Sequence, residues 1–274
     1  MMIRTDLHIH TQASDGTWTP RELVEQVRKK NLGLFAVTDH ESVASVAETE
    51  ELAQAAGIKF LRGVEISTTT EDMCFHVLGY GIDVGNQELL SLLAHNERLL
   101  LQKDEDSVEL LQSKGWPISL EDYHNFHFEH SKGGFKALQY LISKGLCRDV
   151  NDFFGRIFTL ENNLGFPTFP SIEEAIAAIH AAGGLAFLAH AASSFHGPGL
   201  AATLHYLSDK NFDGFECYHT SHSKEDTAVL LEYCRRHHKL ISGGSDCHGD
   251  FATQRVLGRP EIYLEDLNLG GLLV

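Results

Sequence analysis

Short apolar runs recur along the chain, and most of them end in polar residues. They are "MIRTDLHIH", "LFAVTDH", "KFLRGVEIS", "CFHVLGYGI", "LAFLAHA", "FDGFECYHT" and "KLISGGSDCH". Each is rich in β-branched or aromatic residues and reads as a buried strand. Helical patterns lie between most of them. The first opens with Thr19, Pro20 and Glu22, which make an N-cap, a proline at the first helical position and a capping box. Ser171 and Glu174 form the same box before "AIAAIHAAGG", which runs to a glycine stop. "VASVAETEELAQAAG" and "SKEDTAVLLEYCRRHH" are further helices. Alternation of this kind predicts an α/β fold with a parallel sheet and right-handed crossovers. Seven such strands predict a barrel of the (β/α) type, somewhat distorted, with its chemistry where strands end and loops begin.

The rhythm breaks between about Gly85 and Phe169. That stretch holds "QELLSLLAHNERLLLQKDEDSVELLQSKG", "FKALQYLISKG" and "VNDFFGRIF", with few strand signals. The expected organisation is a barrel built from residues 1–84 and 170–274, with residues 85–169 as a mainly helical insertion folded over its mouth. No internal repeat or low-complexity tract interrupts either part.

Composition narrows the picture. A chain of 274 residues with 43% hydrophobic content suits one large domain carrying an insertion. The net charge of −16 argues against a nucleic-acid scaffold or a membrane-surface binder, and no stable binding to duplex nucleic acid is expected. A small anionic substrate remains open, because metal ions reverse a field locally. Cys74, Cys147, Cys217, Cys234 and Cys247 show no CxxC spacing and read as free thiols of a reducing compartment. With no signal-peptide pattern and no apolar run long enough to span a bilayer, the expectation is a cytoplasmic protein without a membrane partner.

The 17 histidines change the picture most. In "DLHIHTQASDGTWTP", Asp6, His8 and His10 alternate with Leu7 and Ile9, so in a strand the two apolar side chains share one face and the polar ones the other. Further histidines and acids sit at strand ends: His40, Glu65, His190, Asp246 and His248; His76 lies within its strand. Singly each has a bland explanation. An Asp such as Asp39 caps turns, and a histidine in an apolar strand is more often a hydrogen-bonded core residue. Jointly the bland explanation requires six imidazoles and three carboxylates to meet at one barrel mouth without purpose. Buried acids and imidazoles in such number must be paired or must coordinate something. Two or three divalent ions would satisfy them. Nitrogen and oxygen donors without sulfur suit Zn²⁺, Mn²⁺ or Fe²⁺ rather than Ca²⁺ or Mg²⁺.

"DLHIHTQASDG", "TDH", "GVEIS", "HVLGYGI", "AH" and "GSDCH" resemble the motifs of the PHP (polymerase and histidinol phosphatase) superfamily over most of residues 3 to 258. The "SDG" after HxH, the insertion and "SHS" at Ser221–Ser223 are most similar to its stand-alone phosphoesterases that act on nucleotides. The resemblance implies a distorted (β/α)7 barrel and a trinuclear metal centre. By matching motif it implies a first ion on His8, His10, Glu65 and Asp246, and a second on Asp15, His40 and His248. A third would lie on His76 and His190, with Glu65 as bridge. Asp6 would orient a ligand imidazole. Three carboxylates and three divalent ions would leave the centre positive by roughly three units. A metal-bridging hydroxide held by Glu65, Asp246 and His248 would attack a small phosphomonoester, a nucleotide or an oligonucleotide end. His222, then His219, are the expected phosphate contacts.

Two departures touch recognition. After His190 the family often carries a proline and then a basic residue, whereas "AHAASSFHGPG" has neither Arg nor Lys. Where relatives carry an Arg–Thr–His–Phe type motif in the insertion, this chain reads "EHSKGGFKALQYL", with Lys132 in the arginine's place and Gly134 in the histidine's. Two other readings compete. A metal-dependent amidohydrolase acting on a C–N bond also uses HxH, but it usually wants a bridging carboxylated lysine or acid, and Glu65 takes that place. A non-catalytic PHP-type binding module should have lost ligands.

Overall fold

A computed structural model describes residues 2–71, 73–193 and 199–273. Part of the segment after His190 lies outside the described residues. The strands are β1 (Arg4–Asp6), β2 (Leu34–Val37), β3 (Lys59–Thr70), β4 (Met73–Tyr80), β5 (Leu185–Leu188), β6 (Gly214–His219), β7 (Leu240–Gly244) and β8 (Ile262–Tyr263). They form one sheet in the order β7-β6-β5-β4-β3-β2-β1-β8. It curls almost closed: the Leu7 amide donates to Gly243 O (3.1 Å) and the Asp246 amide to His8 O (2.8 Å). Gly244 permits this contact, since a Cβ there would lie 2.4 Å from the His8 Cβ.

The α/β barrel expected from the alternation is therefore present, with two differences. β4 runs antiparallel to both β3 and β5. Only residues 71 and 72 separate β3 from β4, and a parallel return needs a crossover of a dozen or more residues. The short β8 pairs antiparallel with β1 outside the barrel wall.

The helices are α1 (Pro20–Lys29), α2 (Val46–Ala55), α3 (Gln87–Ser113), α4 (Leu120–Asn125), α5 (Lys136–Ser143), α6 (Val150–Asp152), α7 (Ile172–Ala181), α8 (Leu200–Tyr206) and α9 (Lys224–His237). Both expected capping boxes, at the starts of α1 and α7, are formed. No helix among the described residues is long and apolar enough to cross a membrane.

Leu7, Leu34, Leu61, Leu78, Tyr80 and Phe187 fill the barrel interior. Ile9, Phe35 and Val37 pack outside the wall with Leu23, Val24 and Val27 of α1. Leu7 and Ile9 thus do not share a face, because regular β1 pairing stops at Asp6 and the alternation slips there. The slip lets both Leu7 and His8 face inward, one layer apart. Between β4 and β5, the segment carrying α4 to α6 and the second half of α3 builds its own apolar cluster, including Val108, Leu111, Leu138, Tyr140, Phe153 and Ile157. It meets the barrel mouth where the Gly134 amide donates to Asp15 O (2.7 Å). Gly133, at φ +69°, has no room for a Cβ, which would lie 2.7 Å from Phe251 and 2.9 Å from Asp15 O.

Candidate metal centre

The barrel mouth gathers side chains from every part of the wall. His8 and His10 follow β1, His40 follows β2, His190 follows β5, and Asp246 and His248 follow β7. Glu65 lies within β3 and His76 within β4. The β3–β4 register pairs Glu65 with Leu78 and Ser67 with His76, which sets Glu65 and His76 diagonally on one face.

Glu65 is the hub and is fully buried. Its Oε2 lies 3.0 Å from His8 Nε2, 3.2 Å from His10 Nε2 and 3.5 Å from His40 Nδ1. Its Oε1 lies 2.9 Å from His76 Nδ1 and 3.0 Å from His190 Nε2. Asp246 Oδ1 stands 3.5 Å from His8 Nε2 and 3.2 Å from His10 Nε2. Asp15, from the loop after His10, stands 3.5 Å from His10 Nδ1 and 3.2 Å from His248 Nε2.

These donors fit bound cations. Both ring nitrogens of His10 and Oδ1 of Asp246 are buried without a hydrogen-bond partner, although they lie close to oppositely charged groups. An ion held at about 2.0–2.1 Å in a tetrahedron sets its ligands about 3.3–3.4 Å apart. The separations among His8, His10, Glu65 and Asp246 bracket that value. Three further groups among the described residues offer the same kind of donors: His10, Asp15, His40 and His248; His40, Glu65 and His76; and His8, Glu216 and His219. Two of these residues, His190 (φ +27°) and Asp246 (φ +57°), hold a sparsely populated backbone conformation, as site residues often do.

The electrostatics are those of acids and imidazoles forced together. Burial opposes ionisation of Glu65, but His8 and His76, with the His10 contact, outweigh it and hold its carboxyl well below the usual range. Burial likewise opposes charge on His10, yet Asp246 and Glu65 raise it to about 9. Burial wins at His40, pushed down to about 3, and at His190, pushed down to about 4, so both imidazoles are neutral. Neutral imidazole is the ligating form.

Glu216, within β6, is absent from the sequence expectations. It is fully buried. His8 Nδ1 donates to its Oε1 (2.9 Å) and the His190 amide to its Oε2 (2.8 Å). Glu216 therefore orients the His8 ring. Asp6 does not orient an imidazole. It accepts the amides of Ser245 (2.9 Å) and Gly258 (2.7 Å), tying the two ends of the loop after β7 to β1.

Asp39 is the turn clamp its position suggested. It accepts from the Thr11 amide, Thr11 Oγ1 and Ser14 Oγ, each at 2.7 Å, and from Ser45 Oγ. Those bonds hold the loop that presents Asp15. Asp39→Ala strands buried donors, so unfolding in urea should show a loss of about 2–4 kcal/mol.

His222 spends both ring nitrogens on backbone: Nδ1 donates to Cys217 O (3.1 Å) and Nε2 accepts the Ala192 amide (3.3 Å). His219 is the one that reaches the acids. Its Nδ1 accepts the Ser221 amide (3.1 Å), so Nε2 carries the proton, 3.3 Å from Asp246 Oδ2. Lys132 pairs with Glu129 (2.8 Å) and is well exposed, lining a cleft of about 620 Å³ with Phe126, Arg148 and Phe251.

The chain matches the PHP domain family over residues 6–259. It is 29% identical over 252 residues to a 5'-3' exoribonuclease of Escherichia coli strain K12, covering 89% of this chain and 84% of that protein. It is 28% identical over 273 residues to a 3',5'-nucleoside bisphosphate phosphatase of Chromobacterium violaceum, covering 95% and 92%. Among solved structures, it superposes on one described as a metal-dependent phosphoesterase from Bifidobacterium adolescentis with a TM-score of 0.77, 30% identity and coverage of 98% and 93%. A second, described as an amidohydrolase from Chromobacterium violaceum with bound sulfate and no metal, gives 0.77, 27%, 90% and 88%. A family match across nearly the whole chain, a barrel mouth lined with imidazoles and carboxylates, and phosphoesterases among its relatives agree: the chain belongs to the PHP family and is a metal-dependent phosphoesterase.

Proposed function

We propose that the protein hydrolyses a small phosphomonoester, a nucleotide or the end of an oligonucleotide, at a centre of two or three Zn²⁺, Mn²⁺ or Fe²⁺ ions. The observation that carries this reading is Glu65, whose two oxygens face different sets of imidazoles. In the proposed arrangement His8, His10, Glu65 and Asp246 hold one ion and Asp15, His40 and His248 a second. His76 and His190 share a third with Glu65. When bound, such ions supply Lewis acidity and a water of near-neutral pKa. With three ions bound and Glu216 counted among the acids, the centre keeps a charge of about +2, enough to draw phosphate to an acidic protein.

The chain's own residues do the rest. Glu216 fixes the His8 ring so that Nε2 faces inward, and the carboxylate behind the imidazole strengthens it as a ligand. Asp39 and Asp6 brace the loops carrying Asp15 and Asp246. His219, with its proton on Nε2, takes the substrate-facing role in preference to His222. The nucleotide preference leans on two relatives, the bisphosphate phosphatase and the exoribonuclease. The sulfate held by the Chromobacterium violaceum neighbour is a tetrahedral oxyanion, the shape a phosphoryl group presents. Five free cysteines favour the cytoplasm.

The test is an assay of Mn²⁺-loaded protein on p-nitrophenyl phosphate, nucleotides, 3',5'-bisphosphates, 5'-phosphorylated oligoribonucleotides and a panel of dipeptides and lactams. Phosphate release that His8→Ala abolishes supports the proposal. Turnover of the C–N panel alone would establish the amidohydrolase alternative. Silence on every compound, with no metal by elemental analysis, would establish a binding module.

Glu216→Gln keeps the shape but turns an amide N–H toward one of two existing donors. Metal affinity should fall about 10- to 100-fold, read by competition with a chromogenic chelator.

A further inference from the structure

Asp246 divides its two oxygens. Oδ1 faces His8 and His10 in the buried centre. Oδ2 faces outward, where Arg255 Nη1 meets it at 2.6 Å beside His219 Nε2. The Asp246 side chain is 3% exposed and that of Arg255 is 38% exposed, so the guanidinium sits where the centre opens to solvent. The backbone that delivers it is pinned. Asp6 accepts the Gly258 amide (2.7 Å), Thr17 Oγ1 accepts the Asp250 amide (2.8 Å), and the Arg255 amide donates to Ala252 O (2.8 Å). Among the described residues, the Arg255 guanidinium pairs through Nη1 with Asp246 and with no other acid. Its remaining N–H groups are therefore available at the rim. It is also the only Lys or Arg among the described residues in ion-pair contact with a candidate ligand, since Lys132 pairs with Glu129 on the insertion.

We propose that Arg255 is the phosphate-recognition residue of this chain, its guanidinium holding non-bridging oxygens of the substrate's phosphoryl group beside the metal centre. The inference rests on the phosphoesterase reading above. A guanidinium is planar, permanently charged and forked to match two oxygens of a phosphate, and one arm fixed on Asp246 pre-organises the rest. A cation on the loop after β7 supplies what the insertion does not, where Gly133 and Gly134 leave their space to Phe251.

The experiment compares Mn²⁺-loaded wild type, Arg255→Lys and Arg255→Ala by three readouts: Mn²⁺ per chain, calorimetric affinity for inorganic phosphate, and KM against kcat on p-nitrophenyl phosphate. Arg255→Ala should weaken phosphate binding and raise KM about 10- to 100-fold, with Mn²⁺ content unchanged. Arg255→Lys should fall between, because it keeps the charge and loses the fork. Unchanged phosphate affinity in Arg255→Ala overturns the inference. So does a parallel loss of Mn²⁺ in both variants, which would make Arg255 a brace for Asp246. A wild type that binds Mn²⁺ yet hydrolyses no phosphoester overturns the parent reading and this one with it; hydrolysis by wild type with undiminished phosphate affinity in Arg255→Ala overturns this one alone.

Discussion

Glu65→Gln should cut kcat/KM for phosphate release by about 10³-fold or more and reduce bound metal to at most one ion per chain. The substitution changes almost no volume, so packing is not its mechanism. What it removes is, among the described residues, the one carboxylate within 3.5 Å of His8, His10, His40, His76 and His190 together. A glutamine offers one acceptor oxygen and must aim an N–H at the other group of imidazoles. Two candidate sites therefore lose their shared oxygen donor at once. The measurement is steady-state kinetics on p-nitrophenyl phosphate together with elemental analysis of the desalted protein. Circular dichroism of the variant separates loss of the centre from loss of the fold. A Glu65→Gln enzyme within tenfold of wild type, carrying its full metal complement, would remove Glu65 from the ligand set.

Much of this centre could be read from the chain because its pieces are local. His8 and His10 are two residues apart, Asp246 and His248 likewise, and each pair follows an apolar run, so type and spacing were visible without tertiary contacts. What stayed hidden depends on contacts between distant segments. Glu216 lies in "FECYHT" like any acid in a strand, and its meaning appears only when β6 sets it against His8, 208 residues away. Arg255 follows a turn and carries no spacing signal at all. Asp6 shares the alternation of His8 and His10, which suggested a common role, but the strand slips just beyond it and its carboxylate goes to backbone amides instead. The antiparallel β4 was legible in principle: two residues cannot make a crossover. Apolar patterning reports burial, and strand direction has to be taken from the length of the connection.

Stripping the ions with a chelator should abolish activity and lower the thermal midpoint by about 10 °C, both restored by Mn²⁺. An ion bound only to the folded state stabilises it by about 4 kcal/mol at a thousandfold excess over its Kd. For a chain of this size each kcal/mol moves the midpoint about 2–4 °C. The stripped centre has its own compensation, which makes the fold persist: His8 and His10, raised by the carboxylates around them against the cost of burial, act as the cations that an ion would replace. Scanning calorimetry of chelated and reconstituted protein reads the shift. A midpoint that moves by less than about 2 °C would show that the acids and imidazoles satisfy one another and need no ion. Adventitious binding to the acidic surface could imitate a small shift. It could not imitate one that disappears in Glu65→Gln, because surface binding and Glu65 share no partners and their effects would simply add. Loss of the metal-induced shift in that variant therefore ties the stabilisation to the barrel mouth.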